Sequence, residues 1–116
     1  MLTPGPAKKV TIFLNEDTQH GMKALHDSVM LFLMHQGVSG ATATRAFSGF
    51  GAHHLLHTPK IEILAQHLPI RIEFIEAADK VQELLPGLRD LVTDGLIEVQ
   101  DTTVIHVARK PQKSSH

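Results

Sequence analysis

Two runs of helical periodicity, each preceded by a run that alternates in steps of two, most constrain how this chain can fold. From Gly21 to Gln36, the residues Met22, Leu25, Val29, Phe32 and Leu33 fall on one helical face. Gly37 then supplies the left-handed stop that commonly ends a helix. From Ala77 to Thr93, Val81, Leu84, Leu85, Leu88, Leu91 and Val92 form a second stripe, closed by Asp94-Gly95. Before the first helix, over residues 8–14, Val10, Ile12 and Leu14 alternate with Lys9, Thr11 and Phe13. Before the second, Ile70, Ile72 and Phe74 alternate with Arg71, Glu73 and Ile75. Period two predicts strands with one face turned to a core. Strands and helices that each carry one apolar face must pack as layers.

The remaining elements follow from the same reading. Ala41 to Phe47, built of Ala and Thr and ending near Arg45, is a strand whose small residues allow a helix to approach closely. Ile61 to Leu64 is a short separate segment. Pro69 belongs at a bulge or at the start of its strand, because proline cannot donate a ladder hydrogen bond. Pro86 lies inside the second stripe, which stays in phase across it. A kinked helix, or a break with Pro86 opening a second segment, accommodates both facts. Leu96 to Gln100 and Thr103 to Ala108 read as two strands joined by a tight turn at Asp101-Thr102. Asn15-Glu16-Asp17-Thr18 is turn chemistry with several helix N-caps. The expected organisation is a flexible leader at 1–7, one domain at 8–108 and a polar tail at 109–116.

The order is strand, helix, strand, strand, helix, strand. That is the ferredoxin-like βαββαβ pattern of an α+β sandwich, here with an extra short C-terminal strand. Both helices cover one face of an antiparallel sheet. Phe13 and one face each of residues 41–47 and 70–75 bring apolar or small side chains to the other face. A sheet with two such faces and helices on one of them is expected to associate with further copies.

Composition excludes several function classes. The length of 116 residues is that of one domain, and the 42% apolar and 20% charged fractions are those of an ordinary soluble protein. A formal net charge of −1 leaves no basic footprint for nucleic acid. There is no cysteine, hence no disulfide framework and no thiolate chemistry. The longest apolar run, Val29 to Met34, is too short to span a bilayer, and residues 1–7 lack the apolar region of a signal peptide. A cytoplasmic protein without stable membrane insertion is expected. Its nine histidines should make the charge change steeply between about pH 5 and 7.

The stretch from Arg45 to Lys60 carries most of the unusual chemistry. The glycines Gly49 and Gly51 flank Phe50, and His53, His54 and His57 follow. Glycines at such a turn either let a ligand approach the backbone or end strand pairing in a bulge. Imidazoles suit Zn, Cu or Ni, and the spacing of four between His53 and His57 would put them on one side of a helical turn. The other reading of the three is a polar loop whose histidines contact backbone or a neighbouring subunit. Arg45, Lys60, Arg71, Arg109 and Lys110 are the cations available to an anionic ligand, with Arg45 placed nearest the glycine turn. Ser48 lacks the strand-turn-helix setting of a hydrolase nucleophile, and no convergent acid-base pair is legible, so no enzyme is expected.

With these motifs in place, the chain resembles a PII-like family of unknown function, small bacterial and archaeal proteins. The resemblance rests on Ala41-Thr42-Ala43-Thr44-Arg45, Gly49-Phe50-Gly51-Ala52-His53, His57-Thr58, Leu68-Pro69-Ile70-Arg71-Ile72-Glu73 and Leu84-Leu85-Pro86, and covers about residues 8–107. It implies a homotrimer with its sheets packed inward. It also implies small-molecule effector sites in the clefts between subunits, where PII signalling proteins bind adenine nucleotides. The loop beyond Gly51 would engage a target protein. The implied ligand-binding set is Arg45, Gly49, Phe50, Gly51, His53, Arg109 and Lys110. The resemblance departs at Asp94-Gly95-Leu96-Ile97, where PII signalling proteins carry a loop rich in glycine and lysine. The alternative is a trimeric metal-binding protein that holds a divalent cation through His53, His54 and His57.

Overall fold

The computed structural model describes residues 2–47 and 68–110. Strand β1 (Gly5–Asn15) leads to a two-residue hairpin pair, β2 (Gln19–His20) and β3 (Lys23–Ala24), and then to helix α1 (Leu25–His35). Strands β4 (Ala41–Arg45) and β5 (Pro69–Glu76), helix α2 (Ala78–Leu91) and strand β6 (Leu96–Val104) follow. The main sheet has the order β4-β5-β1-β6, with every neighbouring pair antiparallel. This is the α+β arrangement the pattern of elements predicts.

The alternation of the two central strands decides which face holds the core. Val10, Ile12 and Leu14 of β1 lie directly opposite Phe74, Ile72 and Ile70 of β5. All six are buried, under Leu25, Val29 and Leu33 of α1 and Val81, Leu84 and Leu88 of α2. The helices approach each other closely at Gly87, where an added Cβ would stand 2.6 Å from the Phe32 ring. Helix α2 runs through Pro86 as one helix. Gly37, at φ +79°, ends α1 as its position predicts. The Lys80 ammonium donates to the Gln36 carbonyl at 2.5 Å, placing a cation on the negative end of α1.

Four expectations are corrected. First, α1 begins at Leu25 rather than Gly21. Gly21, at φ +63°, is the first of two turn residues between β2 and β3, the glycine place in a hairpin turn. Met22 is therefore fully exposed at a hairpin tip instead of lying on the buried stripe. Second, the N-cap of α1 is Ala24 rather than a residue of the 15–18 turn, and the Leu25 N–H donates to the Thr18 carbonyl at 2.8 Å.

Third, β6 is one continuous strand, without a turn at Asp101-Thr102 and without a separate strand at 103–108. The cause is the length of β1, which starts at Gly5 and so takes in residues assigned to the leader. Ala7 and Lys8 pair with Thr102 and Asp101, and Lys8 also forms an ion pair with Asp101. Pro6 is tolerated because β6 alone runs beside β1 there; pairing with β5 begins at Lys8. Pro69, at the first position of β5, matches expectation.

Fourth, the sheet face away from the helices is mixed rather than apolar or small. Strand parity gives it Phe13, Ile75 and Leu96, but also Lys9, Thr11, Arg71, Glu73 and Glu98. The charged residues follow from the same alternation that buries Ile70, Ile72 and Phe74.

Candidate functional site

The open sheet face carries a cleft of about 660 Å³. Its floor comes from Thr42 and Thr44 of β4, Arg71, Glu73 and Ile75 of β5, and Lys9 of β1. Ser39 and Gly40, in the link from α1 to β4, form one wall. Val107, Ala108 and Arg109, just beyond β6, form another. The ladder fixes this grouping: Thr42 is the partner of Glu73, Thr44 of Arg71, and Lys9 of Ile75. Glu76, on the opposite face and buried, accepts the Ser39 N–H at 2.6 Å and so anchors that wall.

Glu73 is the hub of the charged groups. Its carboxylate meets the Lys9 ammonium at 3.0 Å and Arg71 Nε at 3.3 Å, and accepts from Thr11 Oγ1 at 3.4 Å. The hydrogen bond from Lys9 holds the Glu73 carboxyl below its ordinary value, against the opposing effect of burial, with Arg71 helping through its charge. The cleft thus combines three cations, Lys9, Arg71 and Arg109, with one carboxylate and several hydroxyls. Cationic and hydroxyl donors converging in this way bind an oxyanion.

The residues expected to form the site are distributed unevenly. Arg109 lines the cleft. Lys110 is exposed next to it in sequence and does not line it. Gly49, Phe50, Gly51, His53, His54 and His57 lie outside the described residues, as do Ser48, Lys60 and the 61–64 segment. Among the described residues no group of three or more His, Asp or Glu side chains is placed to hold a metal ion.

Arg45 points elsewhere. It shares strand parity with Ala41 and Ala43, whose partners Phe74 and Ile72 face the helices, so it lies on the sheet face opposite the cleft. Its guanidinium grips Glu16 in a bidentate pair, Nε to Oε2 at 2.6 Å and Nη2 to Oε1 at 2.9 Å. That contact ties the turn after β1 to the end of β4. The hydrogen bond from Arg45 holds the Glu16 carboxyl below its ordinary value of 4.5. A carboxyl whose value is depressed by folding stabilises the fold above its unfolded value and loses that contribution as pH falls through the folded one. Arg45→Met is therefore expected to lower the urea midpoint at pH 7 and to match the wild type once Glu16 is protonated. Equal midpoints at both pH values would show that the pair contributes nothing.

Lys9 lies in no motif, Thr42, Thr44 and Glu73 lie in stretches that carry the family resemblance without being marked as site residues, and periodicity alone does not single them out. Their signal is parity: each is on the strand face that does not hold the core. Reading it requires the register of β5 with β1 and with β4, strands distant in the chain.

Comparison with known proteins places the fold. The chain matches the family model DUF190, described as Uncharacterized ACR, over residues 7–104. It is 28% identical over 100 residues to a UPF0166 protein of Aquifex aeolicus, covering 86% of this chain and 94% of that protein. A UPF0166 protein of Methanocaldococcus jannaschii is 28% identical over 99 residues, covering 84% and 91%. Among solved structures, CPII of Thiomonas intermedia, bound to ADP, AMP and acetate, superposes with a TM-score of 0.64 at 22% identity, covering 90% of this chain and 94% of that one. A Thermus thermophilus protein described as PII-like gives 0.61 at 20% identity, covering 90% and 94%. The fold is that of the PII-like proteins. By the match across nearly all of its sheet and both helices, the chain belongs to the DUF190 family.

Proposed function

We propose that this protein is a PII-like regulator that binds a small anionic effector, an adenine nucleotide, in the cleft on the open sheet face, and acts on a target protein. The observation that carries the reading is the convergence of Lys9, Arg71 and Arg109 with Thr42 and Thr44 in one cleft. The nucleotides bound to CPII, whose fold this chain shares, support adenine as the ligand class. The open face is mixed in polarity, and further copies packed on it would complete the cleft as an inter-subunit site in a homotrimer. We read the role as binding rather than catalysis, with Glu73 engaged by Lys9, Arg71 and Thr11. No helix among the described residues is long and apolar enough to cross a membrane. We read the protein as cytoplasmic.

The test is calorimetric titration with ADP, for the wild type and for Arg109→Met. Saturable binding is expected in the wild type, weakened about tenfold when the Arg109 charge is removed. No binding by the wild type, or equal binding by both, would sink the reading. Light scattering on the same samples is expected to return about three times the chain mass.

A further inference from the structure

We propose, resting on the nucleotide reading above, that Glu73 sets the charge class of the ligand, keeping the cleft matched to less highly charged anions. Lys9, Arg71 and Arg109 bring three positive charges to the cleft and Glu73 one negative charge, a net of two. The other lining side chains, among them Ser39, Thr42 and Thr44, are uncharged. Glu98, the other carboxylate on this sheet face, is on β6, accepts from Gln100 Nε2 at 3.3 Å and does not line the cleft. Glu73 is therefore the one described anion that an incoming anion meets at the floor.

Its placement gives this role physical content. Twenty-seven per cent of the Glu73 side chain is accessible, so its charge is felt in the cleft. Its repulsion of a bound anion grows in proportion to the charge of that anion. A carboxylate among the three cations therefore penalises a triphosphate more than a monophosphate. A purely structural part, holding the heads of Lys9 and Arg71 in place, would have the opposite sign, since its loss would weaken the binding of every anion. Glutamine at this position keeps an oxygen acceptor for Lys9 and Thr11 and removes the charge, which separates the two roles.

Titrations of adenosine, AMP, ADP and ATP, without divalent metal and at low salt, are made on the wild type, Glu73→Gln and Arg71→Met. Glu73→Gln is expected to raise affinity by on the order of twofold per ligand charge once screening is included. That is roughly fourfold for AMP, eightfold for ADP and sixteenfold for ATP, with adenosine unchanged. Arg71→Met should lower affinity with the same grading. If Glu73→Gln fails to fold, as thermal melting would reveal, Glu73→Thr, which also removes the charge and suits a strand, carries the same graded comparison. Binding by the wild type with an equal change for all ligands, or with anion binding weakened in Glu73→Gln, would overturn the role of Glu73 and leave the nucleotide reading standing. No binding of any nucleotide by the wild type would overturn both.

Discussion

Gly95→Ala is expected to destabilise the fold by about 2–4 kcal/mol, measured as a fall in the urea midpoint at an unchanged m-value. Gly95 has φ +155°, a backbone conformation that favours glycine, in the turn between α2 and β6. The space there is closed as well. A Cβ would stand 2.5 Å from the backbone carbonyl oxygen of Phe13, 2.7 Å from Leu14 Cδ2 and 3.2 Å from Val92 Cγ1. The first of these cannot swing aside, because Phe13 is in a central strand paired on both sides, with Arg71 and with Leu96. Gly40→Ala is the control. Nothing lies within 4 Å of its added Cβ, and its φ is not positive, so its stability should stay within about 0.5 kcal/mol of the wild type. A Gly95→Ala variant as stable as the Gly40→Ala control would mean that the turn is not held as described.

The core was legible because period two and period 3.6 are written locally. Val10, Ile12, Leu14, Ile72, Leu25, Val29, Leu84 and Leu88 can each be chosen from the sequence without knowing what touches them, and all are buried. What failed has one local cause and otherwise distant partners. Met22 is in phase with Leu25 and Val29, yet Gly21 turns the chain before the helix can start. The 101–104 stretch carries turn residues, but β1 extends to Gly5 and supplies them with strand partners. The site suffered most. Arg45 and Arg109 were grouped by chemistry, while the register places Arg45 with the helix-facing residues and on Glu16. Lys9 and Glu73 lie far apart in the chain on two strands, and nothing local relates them. Pairing brings them to 3.0 Å within the cleft.

Ile72→Ala and Ile75→Ala, three residues apart on one strand, are expected to part widely. Ile72 is fully buried, opposite Ile12 on one side and Ala43 on the other, under both helices. Its truncation removes apolar contact and leaves a cavity that the close-packed layer cannot collapse, at a cost of about 2–5 kcal/mol. Ile75 is on the other face, half-buried at the edge of the cleft, opposite Lys9. In an isolated protomer its truncation should cost less, about 1–2 kcal/mol, since it is only partly buried and lies on the face away from the helices. In a homotrimer with sheets packed inward, Ile75 would be covered by a neighbouring copy. Its cost should then rise and depend on protein concentration, because dissociation is coupled to unfolding. Denaturation of both variants at two concentrations about a hundredfold apart separates these cases. A large effect at Ile72 that ignores concentration, with one at Ile75 that follows it, would assign one face to the protomer core and the other to the assembly. Equal costs at the two positions, both independent of concentration, would contradict the strand register from which both the core and the cleft are built.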